Sequence, residues 1–154
     1  MKNNILKFVK SNKPLFIVFS IILLFLLGGA IYMSQSYEAM EEAEVLVKNN
    51  QNIYMDKNGW YVAEPENSNK NTGFIIYPGA LIEPEAYLPL AQKISELGFK
   101  TFVIPMPFNM AIFDTDAATK VISEYYDIEK WFIAGHSLGG SMAADFVDLH
   151  DFNI

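Results

Sequence analysis

The hydrophobic pattern changes character three times along the chain. Residues 14–33 (PLFIVFSIILLFLLGGAIYM) carry no charge, and at ~1.5 Å rise per residue a helix of that length spans a hydrocarbon layer of ~30 Å. Residues 34–50 (SQSYEAMEEAEVLVKNN) then place Ala39, Ala43, Leu46 and Val47 on roughly one helical face among glutamates. That spacing predicts a short amphipathic, solvated juxtamembrane helix. Two β-prone runs follow, 53–55 and 60–63, separated by Asp56-Lys57-Asn58-Gly59. The Asn-Gly pair predicts an antiparallel hairpin that opens a sheet. Residues 64–72 (EPENSNKNT) are polar and turn-rich, which predicts a loop.

From residue 73 onward, short apolar runs alternate with helical spacing. The runs 73–77 (GFIIY), 100–105 (KTFVIP) and 131–134 (WFIA) predict buried strands. Between them, 84–97 (PEAYLPLAQKISEL) predicts a helix stopped by Gly98, and 114–125 (DTDAATKVISEY) a second one capped by Asp114 or Thr115. Three successive β-α steps predict an α/β fold, a mostly parallel sheet with helices on both faces in three layers. No internal repeat interrupts the pattern.

A chain of 154 residues has room for one compact domain and an appendage. The expected division is a basic cytoplasmic N-terminus at 1–13, a membrane anchor at 14–33, a juxtamembrane stalk at 34–52 and the α/β domain at 53–154. Charge supports the order. Lys2, Lys7, Lys10 and Lys13 precede the apolar span and no acid does, whereas the other seven lysines face all 18 acids. The positive-inside rule then puts the N-terminus in the cytoplasm and the domain outside a cell membrane crossed once. The competing reading is a cleaved signal peptide, with 15–27 as its apolar stretch and Gly28-Gly29-Ala30 at the cleavage site, which would release a secreted domain. The absence of cysteine excludes disulfides and zinc-thiolate sites. An acidic domain without a single arginine argues against nucleic-acid binding.

The chemistry sits directly after the third strand, where Gly135-His136-Ser137-Leu138-Gly139-Gly140 leads into a helix-prone segment. This is G-x-S-x-G in a strand-turn-helix setting. A serine at such a turn takes strained backbone angles that lift its hydroxyl above the carboxyl edge of the sheet. The flanking glycines, Gly135 and Gly139, relieve crowding between helix and strand. The N–H of Leu138, at the positive end of the helix dipole, can hold the oxyanion of a tetrahedral intermediate. A second donor is expected in the loop after the first of these strands, Pro78-Gly79-Ala80-Leu81, with Ala80 N–H as the first choice and Leu81 N–H as the fallback.

These stretches, together with YPGALIEPEAYLPLAQKISELGF and WFIAGHSLGGSMAADF, resemble the α/β-hydrolases, in particular compact bacterial members similar to dienelactone hydrolases and small lipases. The resemblance covers about residues 60–154. It implies Ser137 as nucleophile, an oxyanion hole formed by the amides of Leu138 and Ala80, and hydrolysis of an ester or lipid-like substrate without cofactor or metal. His136 is then part of the elbow and not the base. In that family the triad acid and histidine follow the serine on later loops, and seventeen residues remain after Ser137. The candidates there are Asp145, Asp148, His150 and Asp151. His150 is expected about 20 Å along the helix from Ser137, as a C-terminal cap rather than a base. The sequence therefore reads as the N-terminal half of such a hydrolase, nearly inactive alone, with an exposed strand edge open to self-association. The alternative is a non-catalytic membrane-tethered interaction module or degenerate fragment. Phe102, Phe108, Phe113, Trp131 and Phe132 are expected as core or pocket wall, Tyr125 and Tyr126 as surface packing at a helix end. Glu83 and Glu85 are expected as first-turn acids, and 106–113 (MPFNMAIF) as an apolar wall for an acyl group.

Overall fold

The computed structural model describes residues 12–33, 35–67 and 71–150. The expected basic N-terminus, apart from Asn12 and Lys13, and Asp151 lie outside the described residues. The chain divides into two compact units, 1–35 and 36–154. In the first, helix α1 (Lys13–Met33) runs through the apolar segment with its large side chains exposed. It is long and apolar enough to cross a membrane.

The second unit is built on a five-stranded sheet of β1 (Ile53–Met55), β2 (Tyr61–Ala63), β3 (Thr72–Tyr77), β4 (Lys100–Val103) and β5 (Lys130–Gly135), in the order β1-β2-β4-β3-β5. β1 and β2 form the predicted hairpin. Its turn is closed by the Asp56 carboxylate, which accepts from the N–H groups of Asn58 and Trp60 at 2.8 and 3.0 Å, while Gly59 takes φ 82. β4 and β5 flank β3 in parallel, and β2 joins β4 antiparallel. The sheet is therefore mostly parallel, as the alternation predicted. β4 ends at Val103 rather than continuing to Pro105, because a proline has no N–H to give the ladder.

The crossovers are α3 (Leu88–Glu96), entered through a 3-10 turn at Pro84–Tyr87, and α4 (Ala117–Glu124). The expected caps of α4 are corrected: neither Asp114 nor Thr115 caps it, and the residue at its N-terminus is Asp116, without a side-chain cap bond. Asp114 instead pairs with Lys120 at 2.7 Å, so its carboxylate is drawn to a cation on the helix face. Helix α5 (Leu138–Leu149) follows β5.

Two apolar clusters hold the sheet. One gathers Ile75, Tyr77, Phe102, Trp131 and Phe146 with α4 and α5, and the other Ile53, Ile76, Leu88, Ala91 and Val103 with α3. Phe102 is fully buried, 4.6 Å from the Tyr125 ring and 5.6 Å from that of Trp131. Aromatic packing of this kind makes Phe→Ala cost about 3–5 kcal/mol. The helix expected to be solvated, α2 (Glu41–Asn49), instead buries Ala43 to 2% and lays Leu46 and Val47 against the second cluster. Its amphipathic face has a partner in the domain. Tyr125 is likewise more than surface packing, since its hydroxyl also donates to Asp56 at 3.1 Å, whereas Tyr126 is 89% exposed.

Tyr61, Tyr77 and Tyr125 are each held above the ordinary tyrosine value of 10.0, first by burial, and Tyr54 is pushed up to about 12 by burial and then by its hydrogen bond to Glu64. Because the folded values exceed the unfolded one, the stabilisation is complete below pH 10 and is lost as pH rises through the folded values. Urea unfolding followed by circular dichroism is thus expected to give constant stability up to about pH 9 and a steep fall between about pH 10 and 12. The fall should be shallower in Tyr54→Phe.

Candidate active site

β5 ends at Gly135 and α5 begins at Leu138, so only His136 and Ser137 turn the chain from strand to helix. A two-residue reversal of this kind forces unusual dihedrals. Ser137 sits at φ 53, ψ -121, outside the regions that side chains favour and at a cost of about 1–3 kcal/mol. The turn is held by three backbone bonds: His136 N–H to Tyr77 O at 3.2 Å, Gly139 N–H to His136 O at 2.9 Å, and Ser141 N–H to Ser137 O at 3.2 Å. Ser137 is exposed, and among the described residues its hydroxyl has no hydrogen-bond partner.

The glycines are required by contact. A methyl group on Gly139 would run into the carbonyl oxygens of Tyr77 and Pro78, and one on Gly135 into the backbone of Gly139 and Gly140. These close approaches bring the end of β3, the end of β5 and the first turn of α5 into backbone contact. Gly140 is less constrained, since a methyl there would lie 3.0 Å from the Gly135 carbonyl oxygen.

The loop after β3 supplies the other side of the site. Its amides are almost all committed. Gly79 N–H donates to the Tyr87 hydroxyl at 2.9 Å, Leu81 N–H to Asn109 O at 2.7 Å and Ile82 N–H to Gly79 O at 3.3 Å. The fallback donor, Leu81, is therefore corrected: its N–H is already satisfied by Asn109. Among the described residues the N–H groups of Ala80 and Leu138 have no acceptor, so two uncommitted donors stand on the two segments that the Gly139 contact brings together.

Tyr87 links those segments. Its hydroxyl lies 3.1 Å from His136 Nδ1, and with Gly79 N–H on one lone pair its own proton is available to that nitrogen. His136 is thus tied to the loop anchor. Beneath the site, the buried Tyr77 hydroxyl donates to Thr115 O at 2.7 Å and accepts from Ala118 N–H at 2.8 Å, fixing the strand end against α4. The spacing of glycines reveals the elbow, but neither Tyr87 nor Asn109 was found from sequence. The one signal for Tyr87 is a hydroxyl-bearing aromatic residue in the first turn of an otherwise apolar helical face.

The other candidates lie elsewhere. His150 closes the far end of α5, its Nδ1 2.9 Å from Phe146 O, its ring stacked on Phe146, and its Nε2 3.7 Å from Asp116. Asp145 and Asp148 are exposed on α5. Glu83 accepts from Ala39 N–H at 2.9 Å, and Glu85 accepts from the Tyr61 hydroxyl. Phe102 and Trp131 are core, whereas Phe108, Phe113 and Phe132 lie outside it, 66%, 52% and 48% exposed. Phe132 packs against the rings of Phe74 and Phe99 on the open face of β5. No group of three or more His, Asp or Glu among the described residues could hold a metal ion.

The sequence model of a family described as the alpha/beta hydrolase family matches residues 73–154. No curated protein and no solved structure matches the chain.

Gly139→Ala is expected to destabilise the folded chain by about 1–3 kcal/mol, because the carbonyls it meets belong to backbone that cannot rotate away. Chemical unfolding measures this directly, with Gly140→Ala, expected to cost less, as the comparison.

Proposed function

The chain belongs to the alpha/beta hydrolase family, and we propose that its site carries out acyl transfer from carboxylic esters or lipid-like substrates, with Ser137 as nucleophile. The observation that carries this reading is the exposed Ser137 at φ 53, beside two uncommitted backbone donors. Ser137 Oγ bonds to the ester carbonyl carbon as its proton passes to a base. The negative charge develops on the carbonyl oxygen, where the N–H groups of Leu138 and Ala80 and the dipole of α5 stabilise it. Collapse of the intermediate breaks the carbon–oxygen bond to the leaving alcohol, which takes up the proton. Water then releases the acid from the acyl-serine by the same steps. Removing one such donor costs about 10²–10³ in rate. The mechanism requires a base within hydrogen-bond reach of Oγ. His136 turns its Nδ1 to Tyr87 and His150 caps the far end of α5, so neither takes that role.

The apolar α1 fits a membrane anchor with the N-terminus in the cytoplasm and the domain outside, by the lysines that precede it. A second reading, a tethered interaction module, is favoured by one observation. β5 forms an edge of the described sheet, and a shallow groove lined by Ile133, Ala134, Ala143 and Val147 runs beside it.

Two measurements separate the readings. With neither histidine in reach of Ser137 Oγ, a fluorophosphonate probe is expected to label Ser137 slowly in the full chain and to give no label in Ser137→Ala with unchanged unfolding. Equal labelling of both proteins would remove Ser137 from the mechanism. Sedimentation in detergent tests the module: a chain that stays monomeric at every concentration contradicts pairing through β5.

A further inference from the structure

The sheet edge that bears Ser137 also bears an apolar surface that the proposed chemistry leaves unused. After β4 the chain passes into two 3-10 turns, Pro107–Asn109 and Ala111–Phe113. Phe108 and Asn109 hold left-handed backbone, φ 54 and 51, a conformation that is costly for a bulky aromatic residue and marks functional segments. Phe108, Ile112 and Phe113 are 66%, 53% and 52% exposed. The two rings meet edge to face with centroids 5.8 Å apart, so they form one patch. Residues 104–113 contain no charge, and the next residue, Asp114, is paired with Lys120 at 2.7 Å.

Two connections place this patch. Asn109 O holds the Leu81 N–H at 2.7 Å, one residue beyond Ala80. Residues 36–39 are stitched to the same loop: Tyr37 N–H donates to Leu81 O at 2.5 Å, Glu83 N–H to Tyr37 O at 3.1 Å, and Ala39 N–H to the Glu83 carboxylate at 2.9 Å. Tyr37 in this segment and Met40 directly after it are each 73% exposed. In sequence, Tyr37 comes four positions after Met33, the last residue of the apolar α1. The segment that follows the membrane-length helix is therefore pinned beside the candidate oxyanion loop, not at the opposite end of the sheet.

We infer that this edge faces a lipid bilayer, with Phe108, Ile112 and Phe113 seated at the interface, and that the site takes its ester from the lipid phase. The second half rests on the hydrolase reading, and the docking stands without it. An uncharged patch of aromatic and aliphatic side chains has the chemistry of the interfacial zone. A short tether that returns the domain to the surface makes even weak docking effective.

The sequence has no cysteine, so one introduced thiol reports one position. The full chain, as Ile112→Cys or as Tyr126→Cys, carries a bimane label in dioleoylphosphatidylcholine vesicles doped with a lipid bearing a nitroxide near the headgroup. Tyr126 precedes β5 at the end of the strand remote from Ser137 and is 89% exposed. Quenching at position 112 at least about twofold greater than at 126 is expected. Equal quenching at the two positions, or none at either, overturns the docking. For the substrate, Phe108→Ser/Phe113→Ser is expected to slow hydrolysis of an ester lipid in the vesicles about tenfold more than that of a soluble p-nitrophenyl ester. Equal loss on both substrates overturns access from the lipid phase. No hydrolysis of either ester by the unsubstituted chain contradicts ester hydrolysis by this chain on its own, and the bimane comparison then decides the docking alone.

Discussion

The backbone contact between Gly139 and the carbonyls of Tyr77 and Pro78 is the constraint on which the site depends. No side chain fits between these segments. Only a glycine there lets the first turn of α5 approach the end of β3 this closely. The approach brings the loop that carries Ala80 against the first turn of α5, directly after Ser137 in its strained conformation. The strain of about 1–3 kcal/mol is small against the burial that surrounds it.

That burial is organised around the same point. β3 lies between β4 and β5, so the strand that ends at Tyr77 is the one supported on both sides. Its neighbours are anchored by Phe102 and Trp131, and its last residue is fixed by the Tyr77 hydroxyl between Thr115 and Ala118. Tyr87 extends the arrangement above the sheet, joining Gly79 to His136. A rigid scaffold thus positions two short loops, which is where a reactive group can be held at an energetic disadvantage without unfolding the rest.

Much of this was legible because it is local. The apolar runs 73–77 and 131–134 identified strands to within a residue at each end, and the spacing of Gly135, Ser137 and Gly139 marked a strand-to-helix turn whose sterics depend on adjacent residues alone. What could not be read depends on partners distant in sequence. Ala43 and Val47 show an amphipathic face, but nothing near them says that α3 covers it. Leu81 stands as the fallback donor to Ala80 until Asn109, 28 positions on, takes its N–H. Asp114 looks like a cap until Lys120 claims it. In each case tertiary pairing overrode a local preference that was real but worth only about 1 kcal/mol.

We propose that Ala80 and Leu138 present their N–H groups to one oxygen atom bonded at Ser137. A crystal structure of the protein after phosphonylation at Ser137 tests it most directly. The account predicts a phosphoryl oxygen within about 2.7–3.1 Å of both nitrogens, with Leu81 N–H still held by Asn109. An adduct whose oxygens all turn to solvent, leaving Ala80 N–H without an acceptor, would contradict it.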